Sequence, residues 1–110
     1  MDTLAQYRQF ITQLLSDRAA NIWDKRVDAK LVFDRERDRY LLIYVGWFDS
    51  TPLYGIVLHA EIIDSKIWIY QDGTEQGLAN QLVELGVPKE KIVLAFHPPS
   101  LRKYTEFAVQ

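Results

Sequence analysis

The chain has 110 residues, of which 48% are hydrophobic and 25% are charged, and its formal net charge is −2. This size fits one domain spanning residues 1–110, and the apolar content is too high for a disordered chain. The slight negative charge disfavours direct nucleic acid binding, which usually needs a basic surface. Cysteine is absent, which excludes disulfides, thiol catalysis and thiolate metal sites.

The opening residues do not resemble a targeting segment. They include the acidic Asp2 and contain no uninterrupted apolar run, so we expect neither a signal peptide nor a membrane anchor. No stretch approaches the roughly 18 apolar residues that a membrane span needs. We therefore expect a cytoplasmic protein without a membrane partner.

A helix is predicted over Thr3–Ala20. Apolar residues recur along it at helical spacing, which gives the helix one apolar side. Thr3 and Gln6 have the spacing of a capping box at its start. The recurring apolar residues are Leu4, Tyr7, Ile11 and Leu14.

Four strands are predicted next, at residues 27–33, 39–47, 53–63 and 66–72. Alternation with period two marks the first strand, whereas the second is apolar on both sides. Parallel neighbours need long crossovers, and the connections here are short. The four strands are therefore predicted to form an antiparallel meander.

A second helix is predicted after the sheet, with Asp72 or Thr74 as its cap and Gly86 as the left-handed residue that ends it. Residues 92–96 are apolar and favour extended structure, so they form either a fifth short strand or a helical turn. The predicted fold class is α+β. It is an antiparallel four- to five-stranded β-meander with an N-terminal helix and a second helix packed on one face.

A two-residue hairpin turn at Asp64-Ser65 sets the pairing of the third and fourth strands. It pairs Ile62 with Ile67, Glu61 with Trp68, Ala60 with Ile69, and His59 with Tyr70. One face then carries aliphatic side chains, and we expect the helices to cover it. This set is Leu41, Ile43, Val45, Ile56, Leu58, Ala60, Ile62, Ile67 and Ile69.

The opposite face of the sheet is predicted to be aromatic and partly polar. Its expected members are Tyr40, Leu42, Tyr44, Val57, His59, Glu61, Trp68 and Tyr70. Large rings with polar tips are typical of surfaces that meet a partner. In the alternative, the C-terminal tail or the loop around Trp23 covers this face. The candidate interface residues are Tyr44, Trp47, His59, Trp68, Tyr70, His97, Arg102 and Tyr104.

The chemistry-bearing residues do not form a motif of known reaction type. His59 lies within a strand and His97 precedes two prolines, and neither has the surroundings of a nucleophile elbow or a ligand-spaced metal motif. Asp64 and Lys66, preceded by Glu61, loosely resemble a metal-dependent nuclease pattern, but Asp64 falls in the predicted turn. We therefore predict no catalytic residue, no metal site and no cofactor.

Several motifs nevertheless occur together in an order and spacing that resemble the XisI family of fdxN-element excision controlling factors. They begin with Tyr7-Arg8 and end with Tyr104-Thr105-Glu106-Phe107-Ala108-Val109. Between these lie Tyr44-Val45-Gly46-Trp47, Tyr54-Gly55-Ile56-Val57-Leu58-His59, Lys66-Ile67-Trp68-Ile69, Gly73-Thr74-Glu75, Leu85-Gly86-Val87-Pro88-Lys89 and Ile92-Val93-Leu94-Ala95-Phe96-His97-Pro98-Pro99. The resemblance covers nearly the whole chain. Ser65 departs from the glycine that the family often has in this hairpin.

The resemblance implies a cyanobacterial accessory factor for the excision of a DNA element during heterocyst differentiation. It implies that a separate recombinase performs the DNA chemistry, and that an XisH-type companion is a protein partner. It carries over no catalytic residue. We also expect a homo-oligomer, most simply a dimer, when the protein is alone.

Three hypotheses follow from the sequence. The first is a regulatory subunit that binds a protein partner or a second copy through the aromatic sheet face. The second is a small DNA-binding accessory protein. The third is a metal-dependent nuclease that uses Asp64. The candidate DNA contacts of the second hypothesis are Arg35, Arg37, Arg39, Arg102 and Lys103.

Overall fold

The computed structural model describes residues 2–110. Helix α1 spans Thr3–Ala20, as predicted from the apolar spacing. Its cap, however, is Asp2, whose Oδ1 accepts hydrogen bonds from the backbone N–H groups of Leu4 at 3.0 Å and Ala5 at 3.3 Å. The predicted cap was wrong by one residue because Thr3 already has helical geometry and Asp2 is extended.

The predicted strands are present as β1 (Val27–Asp34), β2 (Arg39–Phe48), β3 (Thr51–Ile63) and β4 (Lys66–Asp72). They pair antiparallel in chain order. The β3–β4 turn is at Asp64 and Ser65, where φ is 51° and 65°. Positive φ at both central residues is the geometry whose twist matches two antiparallel strands, which explains the tight turn.

Helix α2 spans Leu78–Glu84, and a short 3-10 helix at Lys89–Lys91 leads into β5 (Ile92–Leu94). The sequence allowed either a strand or a helical turn for residues 92–96, and three of these residues form a strand. That strand pairs parallel with β4, so the expectation of an entirely antiparallel sheet was wrong at this edge. The reason is that α2 acts as a crossover, which brings the chain back along the same direction.

Gly86 ends α2 in a left-handed conformation, with φ of 107°. The N–H of Gly86 donates to the carbonyl of Val83, and the N–H of Val87 donates to the carbonyl of Leu82, both at 3.0 Å. This pair of hydrogen bonds is a Schellman motif, and it confirms the predicted role of the glycine.

The core lies between one face of the sheet and the two helices α1 and α2. Tyr7, Ile11 and Leu15 of α1 are buried, as are Leu78 and Leu82 of α2. The sheet contributes Tyr40, Leu42, Leu58, Ala60, Ile62, Ile67, Ile69 and Ile92.

The last helix, α3, spans Pro99–Arg102 and begins the final part of the chain. Among residues 2–110, no helix has both the length and the apolar character needed to cross a membrane.

Candidate functional site

The sheet has a second face, turned away from α1 and α2, which we call the open face. Its side chains are those that alternate with the buried set along each strand. The β1 and β2 members are Asp28, Lys30, Val32, Asp34, Arg39, Leu41, Ile43, Val45 and Trp47. The β3 and β4 members are Pro52, Tyr54, Ile56, His59, Glu61, Ile63, Lys66, Trp68 and Tyr70.

A β-bulge at Val57 decides which side of β2 faces the helices. Before Val57 in the chain, Ile56 lies opposite Ile43, and after it, Leu58 lies opposite Leu42. Val57 is therefore one extra residue on β3. One inserted residue exchanges the two faces of the paired strand. The predicted faces of the β2 residues from Tyr40 to Val45 were therefore wrong, and so was that of Ile56.

Two sets of residues therefore lie on the face opposite to the one predicted for them. Tyr40, Leu42 and Tyr44 pack on the helix side, where Tyr40 and Leu42 are fully buried. The aliphatic residues expected under the helices lie on the open face instead. They are Leu41, Ile43, Val45 and Ile56.

A second bulge, at Tyr70, changes the pairing of β3 with β4. Glu61 lies opposite Trp68 and Ala60 lies opposite Ile69, as predicted, but His59 lies opposite Gln71. The predicted pair of His59 with Tyr70 was therefore wrong by one residue. The two rings still meet, with centroids 5.0 Å apart, because the bulge turns Tyr70 towards His59.

One end of the open face is strongly exposed and apolar. Trp47 is 62% exposed and Tyr54 is 75% exposed, and Ile56 is exposed beside Tyr54 at 42%. The sequence reasoning missed Tyr54 and Ile56. Alternation along β3 placed Ile56 with the core, and only the bulge at Val57 moves it to the open face.

A polar cluster lies at the middle of the open face. The Nε2 of His59 is 2.8 Å from Oε2 of Glu61, and Arg39 Nε is 3.8 Å from Oε1 of the same carboxylate. The Tyr70 ring contacts the His59 ring and stacks on Trp68 with centroids 6.5 Å apart. Burial raises the pKa of the Tyr70 hydroxyl, and the negative charge of Glu61 raises it further.

The opposite end of the open face is covered by residues 95–110, which we call the C-terminal segment. The guanidinium carbon of Arg102 lies over the Trp68 ring, 5.5 Å from its centroid. Arg102 Nε also donates to the His97 carbonyl at 3.0 Å, and the N–H of Ala108 donates to the Ile92 carbonyl at 2.9 Å. The predicted alternative, a tail over the aromatic face, is thus realised at Trp68 and not at Trp47.

The remaining predicted interface residues lie elsewhere. The His97 ring packs against Phe96 with centroids 4.6 Å apart, and Tyr104 is 77% exposed in the C-terminal segment. Tyr44 and Trp23 line a cleft of about 390 Å³ beside the end of α1. Trp23 is 88% exposed and therefore does not cover the open face.

The residues considered for catalysis are dispersed. Asp64 is exposed in the β3–β4 turn, while Glu61 is engaged by His59 and Arg39. Within residues 2–110, no three His, Cys, Asp or Glu side chains are grouped closely enough to hold a metal ion.

The basic residues considered for DNA contact are partly engaged as well. Arg37 pairs with Asp34 at 3.1 Å, and Arg39 pairs with Glu61. Arg102 is held by the His97 carbonyl and the Trp68 ring.

Comparison with known proteins gives a family match over nearly the whole chain. The model of the family described as XisI protein matches residues 1–109. A solved structure of a XisI-like protein from Anabaena variabilis is 37% identical, with a TM-score of 0.92 over 98% of this chain and 100% of that chain. The solved fdxN element excision controlling factor XisI from Anabaena variabilis is 33% identical, with a TM-score of 0.85 over 99% and 100%. No curated protein matches the chain.

Proposed function

This chain belongs to the XisI family, and we propose that it is a non-catalytic accessory factor that controls the excision of a DNA element by binding another protein. A relative with the same fold is named as the controlling factor for excision of the fdxN element. In the proposal a separate recombinase cuts and rejoins the DNA. This chain binds the XisH-type companion or the recombinase complex, in the cytoplasm where the chromosome lies.

The observation that carries the proposal is the apolar end of the open face. Trp47, Tyr54 and Ile56 are exposed together at this end of the open face. Soluble monomers rarely expose large contiguous apolar patches, and those that do commonly use them to bind other proteins. Tryptophan and tyrosine also dominate the binding energy of many interfaces.

The polar cluster beside this patch supports the same function. His59, Glu61 and Arg39 offer charged and hydrogen-bonding groups at the border of an apolar area. An apolar centre with a polar rim is the usual composition of a specific protein interface. The cluster would therefore fix the orientation of the partner.

The surroundings of His59 support an accessory rather than a catalytic role. Its Nε2 is paired with a carboxylate and its ring lies against Tyr70. A nucleophilic mechanism needs a hydroxyl or thiol beside the base. The open face, as defined by the residues above, holds no serine, threonine or cysteine. Burial raises the pKa of the Tyr70 hydroxyl beside His59, which disfavours the ionised form that a nucleophile needs.

The test is co-purification of the chain with the XisH-type protein of the same cells. The double variant Trp47→Ala with Tyr54→Ala should weaken binding by about tenfold or more, because each change removes a large exposed ring from the patch. Both side chains are already largely exposed, so the variant should keep its fold. Thermal unfolding of the free variant checks this.

Trp23→Ala provides the matched control. It removes an equally large exposed ring that lies at the cleft by α1 and off the open face. The proposal expects unchanged binding for this variant. Equal binding by all the variants, or equal loss from Trp23→Ala, would overturn the docking role of the open face.

A further inference from the structure

Strand β1 is the free edge of the sheet. Within residues 2–110, β1 pairs only with β2, in continuous register and without a bulge, proline or glycine. At the other edge, β5 has only three residues, and Val93 there forms a bridge with Ala108. One side of β1 therefore presents unpaired backbone N–H and C=O groups over roughly 26 Å.

Two apolar side chains lie at the middle of this edge. Leu31 is 38% exposed on the helix side, and Val32 is 45% exposed on the open face. Lys30 precedes them, and Asp34 follows two residues after Val32. Edge strands usually carry charges that prevent pairing with unrelated strands. Here the charges have opposite signs on the two sides of the apolar pair, so they permit pairing with a matching strand.

We propose that two copies of this chain pair their β1 strands antiparallel about a two-fold axis at Val32. The two five-stranded sheets then form one ten-stranded sheet. In this register Val32 lies opposite Val32 of the second copy, Leu31 lies opposite Phe33, and Lys30 lies opposite Asp34. Symmetry repeats the last two contacts, so the edge gains apolar pairs and two opposite-charge pairs. In these pairs Lys30 and Asp34 meet in addition to their exposed partners within the chain, Asp28 and Arg37.

The two registers nearest to this one on its N-terminal side oppose like charges. Two residues that lie opposite each other in an antiparallel pair point to the same face of the sheet, whereas successive residues of one strand point to opposite faces. A two-fold axis perpendicular to the sheet must therefore place one residue opposite its own copy, and it cannot place a residue opposite the copy of its neighbour. An axis at Lys30 places two lysines opposite each other. An axis at Leu31 places Asp28 opposite Asp34. Like charges directly opposite destabilise a pair of strands.

An axis at Ala29 is the strongest competitor, because it matches Lys30 with Asp28. It leaves the exposed Val32 opposite Arg26, however, outside the paired part of the strand. The register at Val32 covers both exposed apolar residues of β1 and also matches the charges. It is therefore the register that we propose.

The paired arrangement places the two open faces on the same side of the joined sheet, since the axis is perpendicular to it. Its contacts are the β1 backbone and neighbouring side chains, whereas the proposed partner site centres on Trp47 and Tyr54. The two proposals can therefore fail separately.

The first test uses the absence of cysteine from the chain. Two residues opposite each other in an antiparallel pair have Cα atoms about 4.5–5.5 Å apart, which suits a disulfide. Val32→Cys should therefore form a disulfide-linked dimer rapidly under mild oxidation. Ala29→Cys, at the competing axis, and Ser50→Cys, in the exposed β2–β3 turn, should cross-link only at the rate of random collision.

The second test changes the charge pairs. Lys30→Glu places a glutamate opposite Asp34 twice in the dimer, so it should weaken self-association by about tenfold, as measured by sedimentation. Lys25→Glu makes the same change in net charge outside the strand and should leave the dimer unchanged. Rapid cross-linking of Ala29→Cys, no preference for Val32→Cys over Ser50→Cys, or a monomeric protein at all concentrations would overturn the inference.

Discussion

Asp38 connects two parts of the molecule through one carboxylate. Arg8 of α1 donates to its two oxygens at 2.7 and 3.0 Å, and the Tyr40 hydroxyl donates to Oδ1 at 2.9 Å. The hydrogen bond from Arg8 lowers the pKa of Asp38 below its usual range. Burial, with the hydrogen bond to Asp38, raises the pKa of Tyr40 to about 12. The ionised carboxylate thus holds the first helix against the β1–β2 turn.

Asp38→Asn should lower the free energy of unfolding at neutral pH by about 1–2 kcal/mol, because a charge-assisted pair with Arg8 is lost. A depressed pKa in the folded protein stabilises the fold above the pKa of the unfolded chain. That stability disappears as the pH falls through the folded pKa. The difference between wild type and variant should therefore shrink below about pH 4, as measured by urea unfolding at several pH values.

Asp64→Asn is the matched control for this prediction. Asp64 has the same left-handed backbone, with φ of 51° against 54° for Asp38, and it forms no ion pair within residues 2–110. Asp64→Asn should change the free energy of unfolding little at any pH. A cost of Asp38→Asn that stayed constant from neutral to acid pH would contradict the role of the ionised carboxylate.

At the scale of elements, α2 is short and is fixed at both ends. At its start, Asp72 Oδ2 accepts from the N–H of Leu78 at 2.6 Å, and Oδ1 accepts from the N–H of Thr74 at 3.0 Å. At its end stands the Schellman motif of Gly86. A helix of seven residues has little stability of its own, so these ends and the buried Leu78 and Leu82 hold it.

Gly86→Ala should lower the free energy of unfolding by about 1 kcal/mol, because alanine disfavours positive φ. A Cβ at this position meets no atom within 4 Å, so the cost is conformational and not steric. Gly55→Ala in β3 is the control, since a Cβ there also meets no atom and φ is not positive. Chemical denaturation of both variants should show a loss for Gly86→Ala only. Equal stability of the two would refute the assignment.

At the scale of the whole molecule, the C-terminal segment closes one end of the sheet and leaves the other end open. The N–H of Ala108 is hydrogen-bonded to the β5 strand, the Lys89 ammonium pairs with the Glu106 carboxylate, and the Arg102 guanidinium lies over the Trp68 ring. These contacts cover the parallel edge, whereas Trp47 and Tyr54 at the far end stay exposed. The position of this segment therefore decides the extent of the surface that a partner can reach.

Arg102→Ala should loosen the C-terminal segment, because it removes the contact with Trp68 and the hydrogen bond to the His97 carbonyl. The Ala108 amide, which bonds to Ile92, should then exchange its hydrogen about tenfold faster, which corresponds to roughly 1.4 kcal/mol of local stability. Arg35→Ala in the exposed β1–β2 turn removes the same charge and should not change this exchange. An Ala108 amide that was equally protected in both variants would show that Arg102 does not hold the segment.

Much of the fold could be predicted because its signals are local. The apolar spacing of α1 gave the limits Thr3–Ala20, and the turn at Asp64 and Ser65 gave the limits of β4. Of the candidate site, His59, Trp68 and Tyr70 lie on the open face as predicted, and Trp47, for which no face was predicted, lies there as well. Tyr44 does not, and Tyr54 was missed.

The amino-acid sequence by itself determined the four strands of the meander, their order and the existence of two unlike faces, since each follows from periodicity and short turns. The tertiary structure alone decided which side of β2 meets the helices. Alternation is the same whichever face is buried, and one extra residue at Val57 exchanges the faces. It also decided that the C-terminal segment covers Trp68 and not Trp47, because that choice depends on contacts between residues far apart in the chain.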